Sequence, residues 1–268
     1  MRAFTSEWVK LSRPSTLFGF GGTMIGFTLL FTILAFESAG GRNIDLVVTT
    51  SMLSTHEGSI LVVTDMAVFL GIVALALFAS NLAGEFSKGT IRMLFVTEPN
   101  RLKVLAGKVL ALTTFVAAAI AATLALSIAG GALMASRVGV ETAAWWTADG
   151  LAAIGAASIN ITAAALVPAL IGATIAVLTR STTIAVSVGL GWFILAETLI
   201  GAFWDGLRRW GPAAVSSALA AGGAGRIGMF DGATAGISYA TAIVLAVGYS
   251  LLALTITSTV LARRDVTS

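Results

Sequence analysis

The chain has 268 residues, of which 57% are hydrophobic and 11% are charged, and its mean hydropathy is +0.96. A soluble domain carries about 25% charged residues, so this composition argues against one and favours a membrane protein. The absence of cysteine and the single histidine exclude disulfides, thiolate catalysis and multi-histidine metal sites. A net charge of +3 in so apolar a chain gives no reason to expect a nucleic-acid partner.

The N-terminus predicts an amphipathic helix over residues 3–13. Phe4, Trp8 and Leu11 follow one another at i, i+4 and i+7, and the polar residues fall on the other side of the turn. Pro14 ends the helix, because proline cannot donate the next backbone hydrogen bond. Such a helix is either a simple membrane anchor or an elbow that leads into the first span.

Long uncharged runs predict six membrane spans, because about 20 apolar residues cross the hydrocarbon as a helix. The first run, 14–36, is 23 residues long, which exceeds the roughly 7–15 residues of a signal-peptide core, so we do not expect cleavage. The loops are too short to fold as enzymatic domains. We expect the spans at about 15–36, 64–84, 106–134, 151–178, 182–204 and 236–261.

The basic residues predict the orientation. With both termini in the cytoplasm, 11 of the 16 lysines and arginines lie on the cytoplasmic side. Tryptophans fit this arrangement, with Trp8 at the inner face and Trp145, Trp146, Trp204 and Trp210 near the outer one. We therefore expect a multi-pass protein of the cytoplasmic (inner) membrane with both termini cytoplasmic.

The segment 85–108 is the main cytoplasmic excursion, and it mixes five basic residues and two acids with a run of apolar side chains. It predicts a short helix over about 85–96, followed by a turn at Pro99-Asn100. That helix either docks a partner protein or lies flat on lipid. Gly84 and Gly89 have the spacing of the first half of a phosphate-binding loop, but the Lys and Ser/Thr that should follow are absent, so we expect no nucleotide to bind this chain.

The last spans carry the polar residues that are candidates for a gate or translocation path. Residues 204–231 predict a short helix at 213–221 that is re-entrant or lies on the outer surface. Glu197 is the acid deepest within an apolar run, and it either serves transport or reaches outward to the surface. Asn160 either lines the path or hydrogen-bonds between helices, as Asn81 could, and Trp204 marks the outer end of span five.

Three stretches, in their order along the chain, resemble the type-2 permease family of ATP-binding-cassette (ABC) transporters. The first is an elbow-helix start, the second a Glu, Gly-Thr, Pro-turn and Gly-Lys series before span three, and the third a basic end after span six. The residues are Ser6 to Leu11; Glu85, Gly89-Thr90-Ile91-Arg92, Thr97-Glu98-Pro99, Arg101 and Lys108; and Arg263-Arg264-Asp265.

The resemblance implies a dimer of six-span halves, identical or sister chains, driven by two separate ATPase subunits that carry the ATP and Mg. It implies no catalytic residue, cofactor or metal in this chain, and most such permeases export, with 204–231 near the outer gate. Arg180 lies in a second, smaller contact, the turn between spans four and five. The implied ATPase-coupling residues of the coupling helix are Glu85, Phe86, Lys88, Gly89, Thr90, Ile91, Arg92, Leu94 and Phe95.

These observations predict one all-α integral membrane permease domain, residues 1–268, with six transmembrane helices. It would have an N-terminal amphipathic elbow helix, a cytoplasmic coupling helix and an extracellular or re-entrant helical segment between spans five and six. The nearly uncharged spans favour an amphipathic, lipid-like or drug-like cargo. An ATP-independent ion-coupled carrier or channel that uses Glu197 is the alternative, and an intramembrane enzyme that uses His56 is the third hypothesis.

Overall fold

The computed structural model describes residues 2–42, 44, 46–87, 100–222 and 237–263. Within these ranges the regular structure is helical and contains no strand, which confirms the all-α prediction. Six helices are long and apolar enough to cross a membrane, as a multi-pass membrane protein requires. In chain order, spans one to six are Pro14–Ala39, Ala67–Ser87, Arg101–Val138, Ala148–Thr179, Thr182–Phe203 and Tyr239–Ala262.

Both ends of the bundle can be defined from contacts between distant residues. The Arg101 guanidinium, at the start of span three, donates to the Leu261 carbonyl near the end of span six at 3.1 Å. A cation there is favourable, since the last carbonyls of a helix carry partial negative charge. We call this end, where the N-terminal helix Arg2–Leu11 also packs, the N-side, and the opposite end the far side.

Spans two and four form the central pair of the bundle. Gly71 of span two faces the Pro168 ring, and Gly172 of span four faces Leu75, so closely that an added Cβ would lie within 2.8 Å of its neighbour at either glycine. Small residues let helix backbones approach in a membrane, where packing rather than the hydrophobic effect holds helices together. Leu75 is fully buried in this contact.

Local sequence signals set the ends of the spans. The Asn100 side chain accepts a hydrogen bond from the Lys103 amide at 3.1 Å and begins span three, at the turn that the sequence predicts. Span four ends at Thr179, and Arg180 adopts a left-handed conformation with φ of 56°. Span five then begins at Thr182, so 179–182 is the tight turn expected there.

Short helices cover the far side, at Thr50–Leu53, Leu61–Asp65, Asp205–Trp210 and Pro212–Ala220. The last of these matches the helix predicted at 213–221, and Gly222 follows it with φ of +64°. We call it the buried short helix, since it packs between spans four and six, and its Ser216 hydroxyl donates to the Ala164 carbonyl at 3.0 Å. Among the expected outer tryptophans, Trp146 is exposed, but Trp145 is buried and donates to the Leu53 carbonyl at 2.8 Å.

The predicted coupling helix falls mostly outside the described residues. Its first residues, 85–87, are the last turn of span two, which continues to Ser87 rather than ending at 84. Seven of the residues to which the resemblance gives a docking role lie in 88–99 and are not described. They are Lys88, Gly89, Thr90, Ile91, Arg92, Leu94 and Phe95.

Candidate functional site

The N-terminal helix presents its apolar face to the protein. The rings of Phe4 and Trp8 stack with their centroids 6.0 Å apart, and Leu11 is buried against the core. Glu7 lies on this same face, three residues after Phe4 and four before Leu11, so the fold carries its carboxylate inward.

Four charged side chains from three helices meet under the N-terminal helix, and we call them the charged cluster: Glu7, Lys10, Glu85 and Lys108. The Lys108 ammonium contacts Glu7 Oε2 at 2.7 Å and Glu85 Oε1 at 2.8 Å. The Lys10 ammonium contacts Glu7 Oε1 at 2.7 Å and Glu85 Oε1 at 3.0 Å. Asn81, on span two, completes the shell by accepting from Lys108 at 2.8 Å.

Most of the charged cluster is sealed from solvent. The side chains of Glu7 and Lys108 are 3% and 5% exposed, and that of Lys10, at the rim, is 42% exposed. Burial alone would raise the pKa of Glu7, but Lys108 and Lys10 outweigh it and lower that pKa. Burial alone would lower the pKa of Lys10, but Glu7 and Glu85 outweigh it and raise that pKa. These contacts therefore favour the charged forms of Glu7 and Lys10.

The ion pairs of the charged cluster constrain how the three helices are arranged more than they stabilise the fold. Two carboxylates and two ammonium groups balance in charge, yet their desolvation offsets most of their attraction. Removing one partner would leave a buried charge uncompensated, so the arrangement is a strict constraint on how the three helices meet. Because Glu85 belongs to span two and Lys108 to span three, the charged cluster ties the N-terminal helix to both spans that flank residues 88–99.

Three residues for which the resemblance implies an ATPase contact are described by the structure, and their side chains differ in exposure. The Glu85 carboxylate points into the charged cluster and is 12% exposed, and Phe86 is half-buried. Arg180, which has a left-handed backbone conformation at the turn after span four, is exposed. Glu85 therefore acts within the bundle, and Arg180 presents its side chain on the N-side surface.

On the far side, Glu197 binds the buried short helix. Its Oε2 accepts from the Ala213 amide at 2.8 Å, and its Oε1 accepts from the Trp192 indole at 3.0 Å. A carboxylate is favourable there, because the first amides of a helix lack partners within the helix. Gly211 makes room for it, since an added Cβ would lie 2.8 Å from Oε2. Glu197 thus bonds to the protein instead of reaching the surface.

Asn160 and Trp204, the other two candidates for the gate or translocation path, differ in burial. Asn160 is buried on span four and accepts from the Tyr239 hydroxyl at 2.7 Å, which joins spans four and six. Trp204 is 62% exposed at the end of span five. The structure brings Glu197 and Asn160 to opposite ends of the buried short helix, near Ala213 and Gly222 respectively.

A family model described as a protein of unknown function, DUF2705, matches residues 24–267, which is most of the chain. The chain belongs to the DUF2705 family. No curated protein matches the chain. The family match includes Glu85 and Lys108 and begins after the N-terminal helix that supplies Glu7 and Lys10.

Sequence reasoning missed the charged cluster of this DUF2705 protein as a unit. Glu7 and Lys10 fall within the first stretch of the resemblance and Lys108 within the second, and nothing in those stretches indicates that the three share a site. One signal was present: Glu7 has i+3 and i+4 spacing to the apolar residues Phe4 and Leu11, which places a charge on a buried face. Its lysine partner on span three carries no such local signal.

We expect Glu197→Ala to destabilise the DUF2705 protein by about 1.5–3 kcal/mol, because two donors lose a charged acceptor. Glu197→Gln retains one acceptor oxygen and should lose less. The thermal unfolding midpoint in detergent measures both, with Glu141→Ala, an exposed far-side acid, as the control. A midpoint for Glu197→Ala equal to that of the control would contradict the bonding role.

Proposed function

We propose that this protein is the membrane-spanning permease subunit of an ATP-driven ABC exporter, whose separate ATPase docks on the predicted coupling helix at about residues 85–96, of which 88–96 lie outside the described residues. The observation that carries the proposal is the charged cluster, which joins the N-terminal helix to spans two and three where they flank that segment. Arg180 offers the ATPase a second, smaller contact on the same side.

The mechanical argument begins with what docking requires. An ATPase that closes on its partner transmits force only if the docking segment is fixed to the spans that it moves. Glu85 lies three residues before residue 88, and Lys108 is held to it at 2.8 Å. A push on the predicted coupling helix would therefore move spans two and three together with the N-terminal helix.

The distribution of charge supports a cytoplasmic N-side. The basic excess on that side is the bias that retains loops in the cytoplasm, where ATP is available. Under this proposal the far side faces outward, and the buried short helix with Glu197 forms part of the outer gate. A second permease chain, identical or sister, completes the transporter.

The ion-coupled alternative is less favoured by the bonding of Glu197. A proton-carrying acid needs access to both compartments, but both Glu197 oxygens accept bonds from the Ala213 amide and the Trp192 indole. That arrangement suits a residue that positions the buried short helix.

The proposal is tested by affinity capture of the tagged full chain from its native membrane. We expect an ATPase subunit to be recovered, and the double change Leu94→Asp with Phe95→Asp to reduce its recovery at least tenfold. Val47→Asp, an exposed far-side position, is the matched control and should leave recovery unchanged. Recovery of no ATPase with the wild-type chain, or full recovery with the double variant, would refute docking on the predicted coupling helix.

A further inference from the structure

An apolar groove runs along the bundle between spans three, four and six. It comprises two adjoining cavities of about 530 and 480 Å³. The cavities share Val109, Thr113, Leu251 and Leu254, so they form one continuous space, which we call the lateral groove. Its lining is mainly aliphatic, as a binding site for a hydrocarbon chain would be.

The lateral groove is nearly as long as a bilayer is thick. Tyr239 borders it near the far side and Ser258 near the N-side, and the two residues are about 28 Å apart along the axis of span six. The hydrocarbon core measures about 30 Å, so the groove passes both leaflets. A phospholipid of one leaflet would fill about half of it.

Four polar groups line the lateral groove without hydrogen-bond partners among the described residues, one of which is the Thr255 hydroxyl near the N-side. Asn160, 9% exposed, uses Oδ1 to accept from Tyr239, and its amide nitrogen has no partner there. The same holds for the hydroxyls of Thr113 and Ser250. Thr114, next to Thr113 but outside the groove, instead donates to the Leu110 carbonyl at 2.8 Å.

Such groups point to a ligand with hydrogen-bonding capacity. An unpaired polar group in hydrocarbon costs several kcal/mol, so a partner that enters the groove is favoured. No charged side chain is among the residues that line either cavity in the described part of the chain. A charged headgroup would therefore meet no counterion, while a hydroxyl, ester or amide would be satisfied.

We propose that the lateral groove binds a neutral amphiphile, such as a monoacylglycerol. Its chain lies against Val109, Leu251 and Leu254, and its uncharged head bonds to Asn160 or, deeper in the groove, to Thr113 and Ser250. The identification of this amphiphile as the exported cargo rests on the proposed function. The binding itself does not depend on that function. The polar groups at two depths give the head successive partners as it moves toward the far side.

The experiment is photo-crosslinking of the purified full chain in nanodiscs with a diazirine-bearing monoacylglycerol, without any ATPase. We expect labelled peptides from spans three, four and six. Unlabelled monooleoylglycerol should suppress the labelling at least tenfold more effectively than lysophosphatidic acid, which has a similar chain but a charged head.

Variants locate the site within the groove. Ala163→Phe, which fills the groove from span four, and Thr113→Val, which removes a hydroxyl at constant shape, should reduce labelling at least fivefold and about threefold respectively. Thr114→Val is the matched control and should label like wild type, and thermal midpoints check that each variant is folded. Equal competition by the charged lipid, or labelling that Ala163→Phe leaves unchanged, would overturn the proposal. Failure to capture an ATPase would refute only the proposed function.

Discussion

Lys108→Met is expected to destabilise the protein by about 3–5 kcal/mol, the cost of leaving buried charge unpaired. Lys108 contacts both Glu7 and Glu85, so its loss leaves two nearly buried carboxylates with Lys10 alone. Lys10 is 42% exposed at the rim and cannot replace the contact to Glu7 Oε2. A methionine fills the space of the lysine stem, so the loss reflects charge rather than a cavity.

The thermal unfolding midpoint in detergent measures this effect. Arg137→Met, on the same helix but exposed and away from the charged cluster, is the matched control and should change the midpoint little. Adding Glu7→Gln to Lys108→Met should recover part of the loss, since one uncompensated charge is then removed. Additive losses in the double variant, or a single variant as stable as the control, would contradict the buried ion-pair network.

Most of the fold could be predicted because its signals are local. Uncharged runs predicted the six spans, and residues 204–231 predicted the buried short helix. Pro99-Asn100 predicted the turn before span three, which begins at Arg101 rather than at about 106. Each of these features depends on residues adjacent in sequence. The end of span two was not predicted correctly, since the helix continues through Glu85 to Ser87. It can do so because Lys108 pairs with the Glu85 carboxylate inside the bundle.

The sites depend instead on which helices become neighbours. Glu7 and Lys108 are separated by 100 residues in sequence, and nothing local to either indicates that they meet at 2.7 Å. The lateral groove likewise exists only because spans three, four and six come together to line it. Asn160 was predicted as a polar contact or path residue, and its bond to Tyr239 leaves its amide nitrogen for the groove.

The charged cluster lies at the N-side, whereas the lateral groove extends from near the N-side toward the far side. Span three contributes to both sites, with Lys108 in the charged cluster and, five residues further along, Thr113 in the lateral groove. A movement of span three driven from the N-side would therefore alter the groove directly. Under the proposed function, this shared helix links ATPase docking to cargo binding.

The second large effect is expected at the contact between spans two and four. Gly172→Ala places a Cβ 2.8 Å from both the Leu75 carbonyl oxygen and its Cγ, and Leu75 is fully buried. The helices must separate to relieve this clash, at a cost of about 1–3 kcal/mol. Gly155→Ala, on the same span with nothing within 4 Å, should be neutral or slightly stabilising, because alanine favours a helix over glycine.

The substitution Leu75→Ala distinguishes clashes with the Leu75 side chain from clashes with the Leu75 backbone. At Gly189 of span five an added Cβ meets only side-chain atoms of Leu75, the nearest at 2.6 Å, so Leu75→Ala should remove the penalty of Gly189→Ala. At Gly172 the Leu75 carbonyl oxygen remains in place, so the penalty of Gly172→Ala should persist in the Leu75→Ala background. Thermal midpoints of the wild type, the three single variants and the two double variants give both coupling energies. Equal rescue at the two glycines would show that spans two and four lie further apart than the structure has them.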